Sequence, residues 1–196
     1  LMAVTDNDYL RSNYIQDLVF DGAGNLYVAT LNGVFILNPE LGVIHHFKAG
    51  NDKAKGLSGS QVNSLLIDAQ GSVWIGTSQG LDIYEPSTGQ LNNIRAGGNI
   101  SSLSNDDIRS LYEDQAGTIW VGTYKGLNKV DRNPSRFAHY RNDPDDPGSL
   151  SDNIVYALLE DENSNTWIGT YGGVNIFDAA REKFTHLRHD PNDPRS

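Results

Sequence analysis

Apolar residues along this chain gather in short runs separated by polar turn residues, and no stretch repeats them at helical spacing. The runs Ile15–Phe20, Val62–Ile67, Ile108–Glu113 and Val155–Glu160 carry apolar residues at both parities. That pattern predicts four first strands covered on both faces. An Asp-x-x-Gly connection follows three of them, at Asp21, Asp68 and Asp114. Its carboxylate can accept turn amides, and its Gly can take positive φ in a hairpin. After the fourth run Ser164-Asn165 stands in place of the Gly, and Asn is the next-best residue for a left-handed conformation. A second strand, Trp-Ile-Gly-Thr or a near variant, is expected to be buried on both faces. Connections ending in Gly33, Gly80, Gly126 and Gly173 lead to third strands such as 81–84 and 127–130. Turn chemistry at Asn38-Pro39, at 85–89 and at Asn133-Pro134-Ser135 then leads to fourth strands at 43–47, 91–94, 136–140 and Lys183–Leu187.

The pattern is one unit written four times. Tyr27, Trp74, Trp120 and Trp167 are spaced 47, 46 and 47 residues apart, and the four connecting glycines keep the same intervals. Four short antiparallel strands per unit at that period specify an all-β chain, a β-propeller with four blades present and a larger parent of about seven. The expected division is 15–60, 61–106, 107–153 and 154–196 for the four blades, with 1–14 as the end of a preceding blade or a connector. Leu10, Leu57, Leu103 and Leu150 each stand five residues before a first strand and mark its approach.

A formal charge of −10 with a pI near 4.7 argues against binding through phosphates, so nucleic acid is not an expected partner. Cysteine is absent, which removes disulfides, thiolate metal sites and a cysteine nucleophile together. No apolar run long enough to cross a bilayer occurs, and the first residues lack the basic and apolar regions of a leader. The piece is expected to be soluble, with membrane attachment only through other parts of a parent protein.

The skeleton Leu103-Ser104-x-x-x-Ile108-x-x-Leu111-x-x-Asp114-x-x-Gly117-x-x-Trp120-Val121-Gly122-Thr123-x-x-Gly126-Leu127 resembles the two-component regulator propeller repeat. The linker 142–151 and its echo at 190–196 look like the connectors of that family. The resemblance implies a periplasmic or otherwise extracytoplasmic sensor region of a membrane-anchored bacterial receptor. Such receptors are hybrid histidine kinases or diguanylate cyclases, and many recognise saccharides. It further implies a non-catalytic region that binds an oligosaccharide or other small molecule, within a parent that forms a homodimer. A propeller enzyme, a polysaccharide lyase or glycosidase, is the alternative, and a scaffold for protein partners is another.

Scaffold positions stay fixed between copies while the start of the first strand and the loop between second and third strands vary, as they do where repeats present a binding surface. The candidate ligand-binding residues are Tyr14 and Asn32; Asn63 and Gln79; Asp107, Arg109, Tyr124 and Lys125; and Tyr156 and Tyr171. Asn13, Gln61, Asp106, Asn153 share those loops. Tyr, Asn, Asp and Arg suit sugars, with rings stacking on pyranose faces and planar polar groups pairing hydroxyls. Trp74, Trp120 and Trp167 hold one place in every copy and are expected in the core instead.

No cofactor, metal ligand or catalytic residue is expected. Asp143, Asp145 and Asp146 lack the Gly and terminal Glu of a calcium loop and read as turn formers. His139 and His186 share one repeat position, and His186 and His189, three apart, would fall on opposite faces of a strand. An acid pair such as Asp107 with Asp152 can be imagined for glycoside chemistry, which depends on a carboxylate separation that sequence does not give.

Overall fold

The computed structural model describes residues 14–50, 56–97, 102–130, 137–178, 182–189 and 192–193. Leu10, Asn13, the turn at 133–135 and Arg136 lie outside the described residues. Among the described residues the chain is all strand and turn. Sheet 1 comprises β1 (Ile15–Phe20), β2 (Leu26–Thr30), β3 (Gly33–Asn38) and β4 (Gly42–Phe47). Sheet 2 comprises β5 (Val62–Ile67), β6 (Val73–Thr77), β7 (Gly80–Glu85) and β8 (Gln90–Ile94). Sheet 3 comprises β9 (Ile108–Glu113), β10 (Ile119–Thr123), β11 (Gly126–Val130) and β12 (Phe137–Tyr140). Sheet 4 comprises β13 (Val155–Glu160), β14 (Asn165–Thr170), β15 (Gly173–Asp178) and β16 (Lys183–Leu187). Each sheet is an antiparallel meander in chain order, so each is made from one continuous stretch. The chain divides into two compact units, Leu1–Ile94 with sheets 1 and 2 and Arg95–Ser196 with sheets 3 and 4.

The turn between first and second strands explains why Asp and Trp keep a spacing of six. In sheet 3 Asp114 Oδ1 accepts the amides of Ala116 and Thr118 at 3.0 and 2.8 Å, while its Oδ2 accepts the Trp120 indole Nε1–H at 2.9 Å. Asp68 binds Trp74 at 2.8 Å and Asp161 binds Trp167 at 2.9 Å in the same way. The carboxylate thus closes the hairpin and satisfies the one polar atom of the neighbouring indole. Sheet 1 has Tyr27 where the others have Trp, and there the Asn25 side chain donates to Asp21 Oδ2 at 2.8 Å instead. Gly24, Gly71 and Gly117 take φ values of 82, 87 and 78° at the left-handed corner. In sheet 4 that corner is Ser164, at φ 61°, and not Asn165, which already belongs to β14. The offset from the aspartate, three residues, decides which residue must turn.

A second lock holds the turn between second and third strands. The buried Thr123 hydroxyl donates to Gly126 O at 2.8 Å and accepts the Lys125 amide at 3.1 Å, and Thr30 and Thr77 repeat both bonds. Gly126 has φ 119°, and a Cβ there would stand 2.7 Å from Tyr140 O. No other residue fits.

Within the first unit Tyr27, Ala29, Ile36 and Phe47 of sheet 1 pack on Leu57, Val62, Leu65 and Ile75. The second unit repeats this with Trp120 and Leu127 of sheet 3 against Leu150, Val155, Ile168 and Phe177. Trp120 meets Phe177 edge-on, with ring centroids 5.6 Å apart. The expectation that every first strand is covered on both faces holds for β5 and β9 and fails for β1 and β13, where Leu18, Phe20, Tyr156 and Leu159 are exposed. The second strands β6 and β10 are buried throughout and β2 nearly so, whereas β14 alternates.

Candidate ligand-binding edge

Every first strand breaks register with its partner at one point. Pairing skips from Ile15 to Asp17, from Val62 to Ser64, from Ile108 to Ser110 and from Val155 to Ala157. Gln16, Asn63, Arg109 and Tyr156 are therefore bulged residues, left out of the ladder. A bulge re-aims a side chain, which is why bulges recur beside binding sites. The residue is also freed from the packing that fixes its neighbours, so its identity can differ in every copy.

Each bulge sits beside the turn between second and third strands. Tyr124 N donates to Asp107 O at 3.0 Å, Ser78 N to Gln61 O at 2.9 Å, and Tyr171 N to Ile154 O at 3.1 Å. Within each sheet, then, the candidates share one edge: Tyr14 with Asn32, Asn63 with Gln79, Asp107 with Arg109, Tyr124 and Lys125, and Tyr156 with Tyr171. Tyr14, Asn32, Gln79, Tyr124, Lys125, Tyr156 and Tyr171 are exposed there, while Asn63, Asp107 and Arg109 are half-buried. Gln16, exposed at the first bulge, completes the set and was not among the sequence candidates. Alignment of the copies places it opposite Asn63, Arg109 and Tyr156, but only the register shows that this column is unpaired.

Sheet 3 carries the most developed constellation. Arg109 Nη2 pairs with Asp107 Oδ2 at 2.7 Å, and the guanidinium lies 5.6 Å from the Tyr124 ring centroid, within cation–π range. Asp107 Oδ1 and Arg109 Nε have no hydrogen-bond partner although both atoms are buried, and the same holds for Ser110 Oγ. Such groups are uncommon in native proteins, since an unmade bond costs about 1–3 kcal/mol. An unpaired acceptor and an unpaired donor at the start of one strand are the two functions that a hydroxyl can meet, giving one bond and taking the other. Asp107 is held by Arg109 while Asp152 Oδ1 accepts the Ile154 amide at 2.7 Å, so each carboxylate of the conceivable acid pair has its own structural task.

The other polar candidates resolve into scaffold. Asp143 Oδ1 accepts the Asp145 amide at 3.0 Å and Asp146 Oδ1 the Gly148 amide at 2.8 Å, which is turn chemistry. His186 Nε2 bonds Ser149 O at 2.7 Å, His139 Nε2 bonds Ser102 O, and Asn93 Nδ2 donates to Gly56 O at 3.3 Å. This repeat position latches each incoming linker. His189 lies past the end of β16, so it shares no strand with His186. A second latch escaped the sequence reading. Ser58, Ser104 and Ser151 donate their amides at 2.8 Å to buried Asp82, Asn128 and Asn175 on the third strands. The constant spacing of 24 residues between those partners is the signal that could have revealed it.

A groove of about 520 Å³ lies beside the outer strand β12 of sheet 3, lined by Tyr140, Asp143, Asp146, Glu182 and Phe184 among others. Burial pushes the Tyr140 phenol up, and the Glu182 charge adds to it. None of the bulged residues lines this groove.

The residues 56–79, 102–125 and 149–172 match the profile of the two component regulator propeller family. These repeats belong to that family. Each match runs from the linker leucine through the first strand, the Asp turn and the second strand to the bulge-side turn. The copy around Tyr27 is not among the matched segments, in keeping with its Tyr and Asn25 variation. Among solved structures, the chain is similar to the extracellular domains of two proteins of B. thetaiotaomicron assigned as hybrid two-component systems. For one the TM-score is 0.75 at 25% identity over 92% of this chain and 24% of that one. For the other it is 0.71 at 27% identity over 94% of this chain and 23% of that one. A virginiamycin B lyase of Staphylococcus aureus, solved with quinupristin, shares the fold alone, with a TM-score of 0.67 at 13% identity over 97% of this chain and 59% of that one. The chain spans about a quarter of the two regulator domains it resembles. No curated protein matches it. The four four-stranded antiparallel sheets are those of a β-propeller.

Proposed function

We propose that this chain is a ligand-sensing propeller region from the extracytoplasmic side of a bacterial two-component receptor, and that it recognises a saccharide along its bulge edge. The observation that carries the reading is the recurrent bulge, which holds a fixed backbone while Gln16, Asn63, Arg109 and Tyr156 vary. The free Asp107 and Arg109 atoms beside Tyr124 supply the hydroxyl-matching chemistry, and exposed Tyr156 and Tyr171 supply stacking faces. The similarity to extracellular domains of hybrid two-component systems supports the cellular setting. Catalysis belongs, in this reading, to a kinase or cyclase elsewhere in the parent. Ligand would act by favouring one arrangement of a parent homodimer, to the extent that it binds that arrangement more tightly.

Calorimetric titration of the chain with oligosaccharides of differing linkage tests this. Saturable binding without turnover is expected, weakened at least tenfold by Arg109→Ala or Tyr156→Ala and unchanged by Gln115→Ala at the opposite edge. Binding that ignores both edge substitutions would remove the site, and steady release of a cleaved product would make the region an enzyme.

A further inference from the structure

In each unit the first strands of the two sheets meet along a seam, β1 beside β5 and β9 beside β13, and the two seams are closed differently. In the first unit Asp17, one residue past the bulge of β1, reaches across to β5. Its Oδ2 accepts the Leu65 amide at 2.8 Å and the Ser64 hydroxyl at 3.3 Å, while its Oδ1 accepts the Leu18 amide at 2.8 Å. A carboxylate therefore bridges β1 and β5.

In the second unit the same column holds Ser110 in β9 and Ala157 in β13. Leu158 pairs with Ile168 just as Leu65 pairs with Ile75, so the Leu158 amide is the donor that corresponds to the Leu65 amide. The acceptor is what differs. Ser110 brings no carboxylate, and its own hydroxyl has no hydrogen-bond partner although the residue is only 8% exposed. That hydroxyl is directed at the seam, since a Cβ on Gly122 would run into both Ser110 Oγ and Val155 Cγ1 of the neighbouring sheet. Arg109, the bulged residue before it, leaves its Nε–H unpaired as well. Buried donors are nearly always paired in native proteins. Here two of them, on consecutive residues, lack an acceptor at the place where the first unit supplies a carboxylate. Serine for aspartate and alanine for Ser64 also make both sides of this seam smaller, and the Arg109 side chain, 32% exposed, connects it to solvent.

We propose that a carboxylate of the ligand takes this place, so that the second seam is a subsite for the acid group of a uronic sugar. Its donors are the Ser110 hydroxyl, the Leu158 amide and the Arg109 Nε–H, and bonds of this kind to an ionised acceptor are the stronger ones. The inference rests on the saccharide reading and names the class of saccharide. The surrounding charges agree with it. Arg109 and Asp107 balance each other, and Asp106 and Asp152 are engaged by the amides of Ala96 and Ile154. Lys125, in the adjoining turn, has no ion-pair partner among the described residues. Asp107 Oδ1 remains for a sugar hydroxyl.

The test is calorimetric titration of the chain with oligomers of galacturonate, glucuronate and mannuronate, each beside the neutral oligomer made by reducing its carboxyl groups. At least one acidic oligomer is expected to bind about tenfold or more tightly than its reduced counterpart, the scale of one hydrogen bond to a charged group. Ser110→Ala is expected to remove most of that preference and to leave affinity for the reduced oligomer unchanged. Ser110→Asp, which puts the chain's own carboxylate where Asp17 has one, is expected to abolish binding of the acidic oligomer and spare the reduced one. Far-UV circular dichroism establishes that each variant is folded, and Ser110→Ala, the smaller change, decides the matter alone where Ser110→Asp does not fold. A reduced oligomer that binds as tightly as its acidic parent overturns the subsite and leaves the saccharide reading standing. A preference for acid that survives Ser110→Ala does the same. Failure of every acidic oligomer to bind also overturns the subsite, and the saccharide reading then stands or falls on the neutral ones.

Discussion

Sheets 3 and 4 share a skeleton and pack on each other, yet the same residue does different work in each. Trp120 is 1% exposed and lies among Phe177 and Leu127, while Trp167 makes the same bond to its aspartate with its other face half open. The local hydrogen bonds are set by the repeat. Burial is set by where a sheet stands in the stack.

The largest test of that contrast is truncation of the two indoles. Trp120→Ala is expected to cost about 3–5 kcal/mol by denaturant titration and Trp167→Ala less than half of that, as cavity formation requires a closed surround. Equal losses would show that the aspartate bond, and not packing, governs both. A finer comparison uses the glycine two residues on. A Cβ at Gly122 would lie 2.7 Å from Val155 Cγ1, whereas one at Gly169 meets nothing closer than 3.4 Å. Gly122→Ala should therefore cost about 1–3 kcal/mol through overpacking, and Gly169→Ala should stay within about 0.5 kcal/mol of the parent. A thermal melt of the pair decides it.

Smaller effects sit at the Asp turns. Ser164 holds a left-handed conformation that Gly117 holds without strain in sheet 3. Ser164→Gly is expected to stabilise by up to about 1 kcal/mol and Gly117→Ser to destabilise by about 1–2 kcal/mol. No change in either would mean that the turn tolerates other geometries. The smallest effect is acid sensitivity. The Trp167 indole, followed by the Asn165 side chain and backbone amides, holds the Asp161 carboxyl down to about 2 from an ordinary 3.8. A depressed folded-state value stabilises at pH above the ordinary value, and that contribution is lost as pH falls from about 4 towards 2. Asp161→Asn should flatten this limb of the stability profile, and an unchanged limb would place the acid response elsewhere.

Much of the fold was legible because strands and turns are local events. The Asp-x-x-Gly offset, the aromatic anchors and the connecting glycines each act within a few residues, and all four first strands fall at the bounds their sequence predicts. Exposure of β1 and β13 was not legible, since Leu18 and Leu65 are the same residue type and differ only in what lies beside them. The candidate edge was half legible. Variation between copies singled out Asn63, Arg109 and Tyr156, but the bulge that frees them depends on pairing, so Gln16 went unnoticed. The Asp107–Arg109 pair required coordinates, because nothing in two residue names says which of their atoms stay unpaired.

The double latch gives each of the last three repeats a mechanical character. The linker serine is bound to the third strand of its own sheet and the neighbouring carbonyl to the fourth, while the chain between them runs through all the strands. Each repeat is in that sense a buckled strap. Tension applied along the linker is transferred by side chains straight to the outer strands, before the first strand and its bulge are loaded.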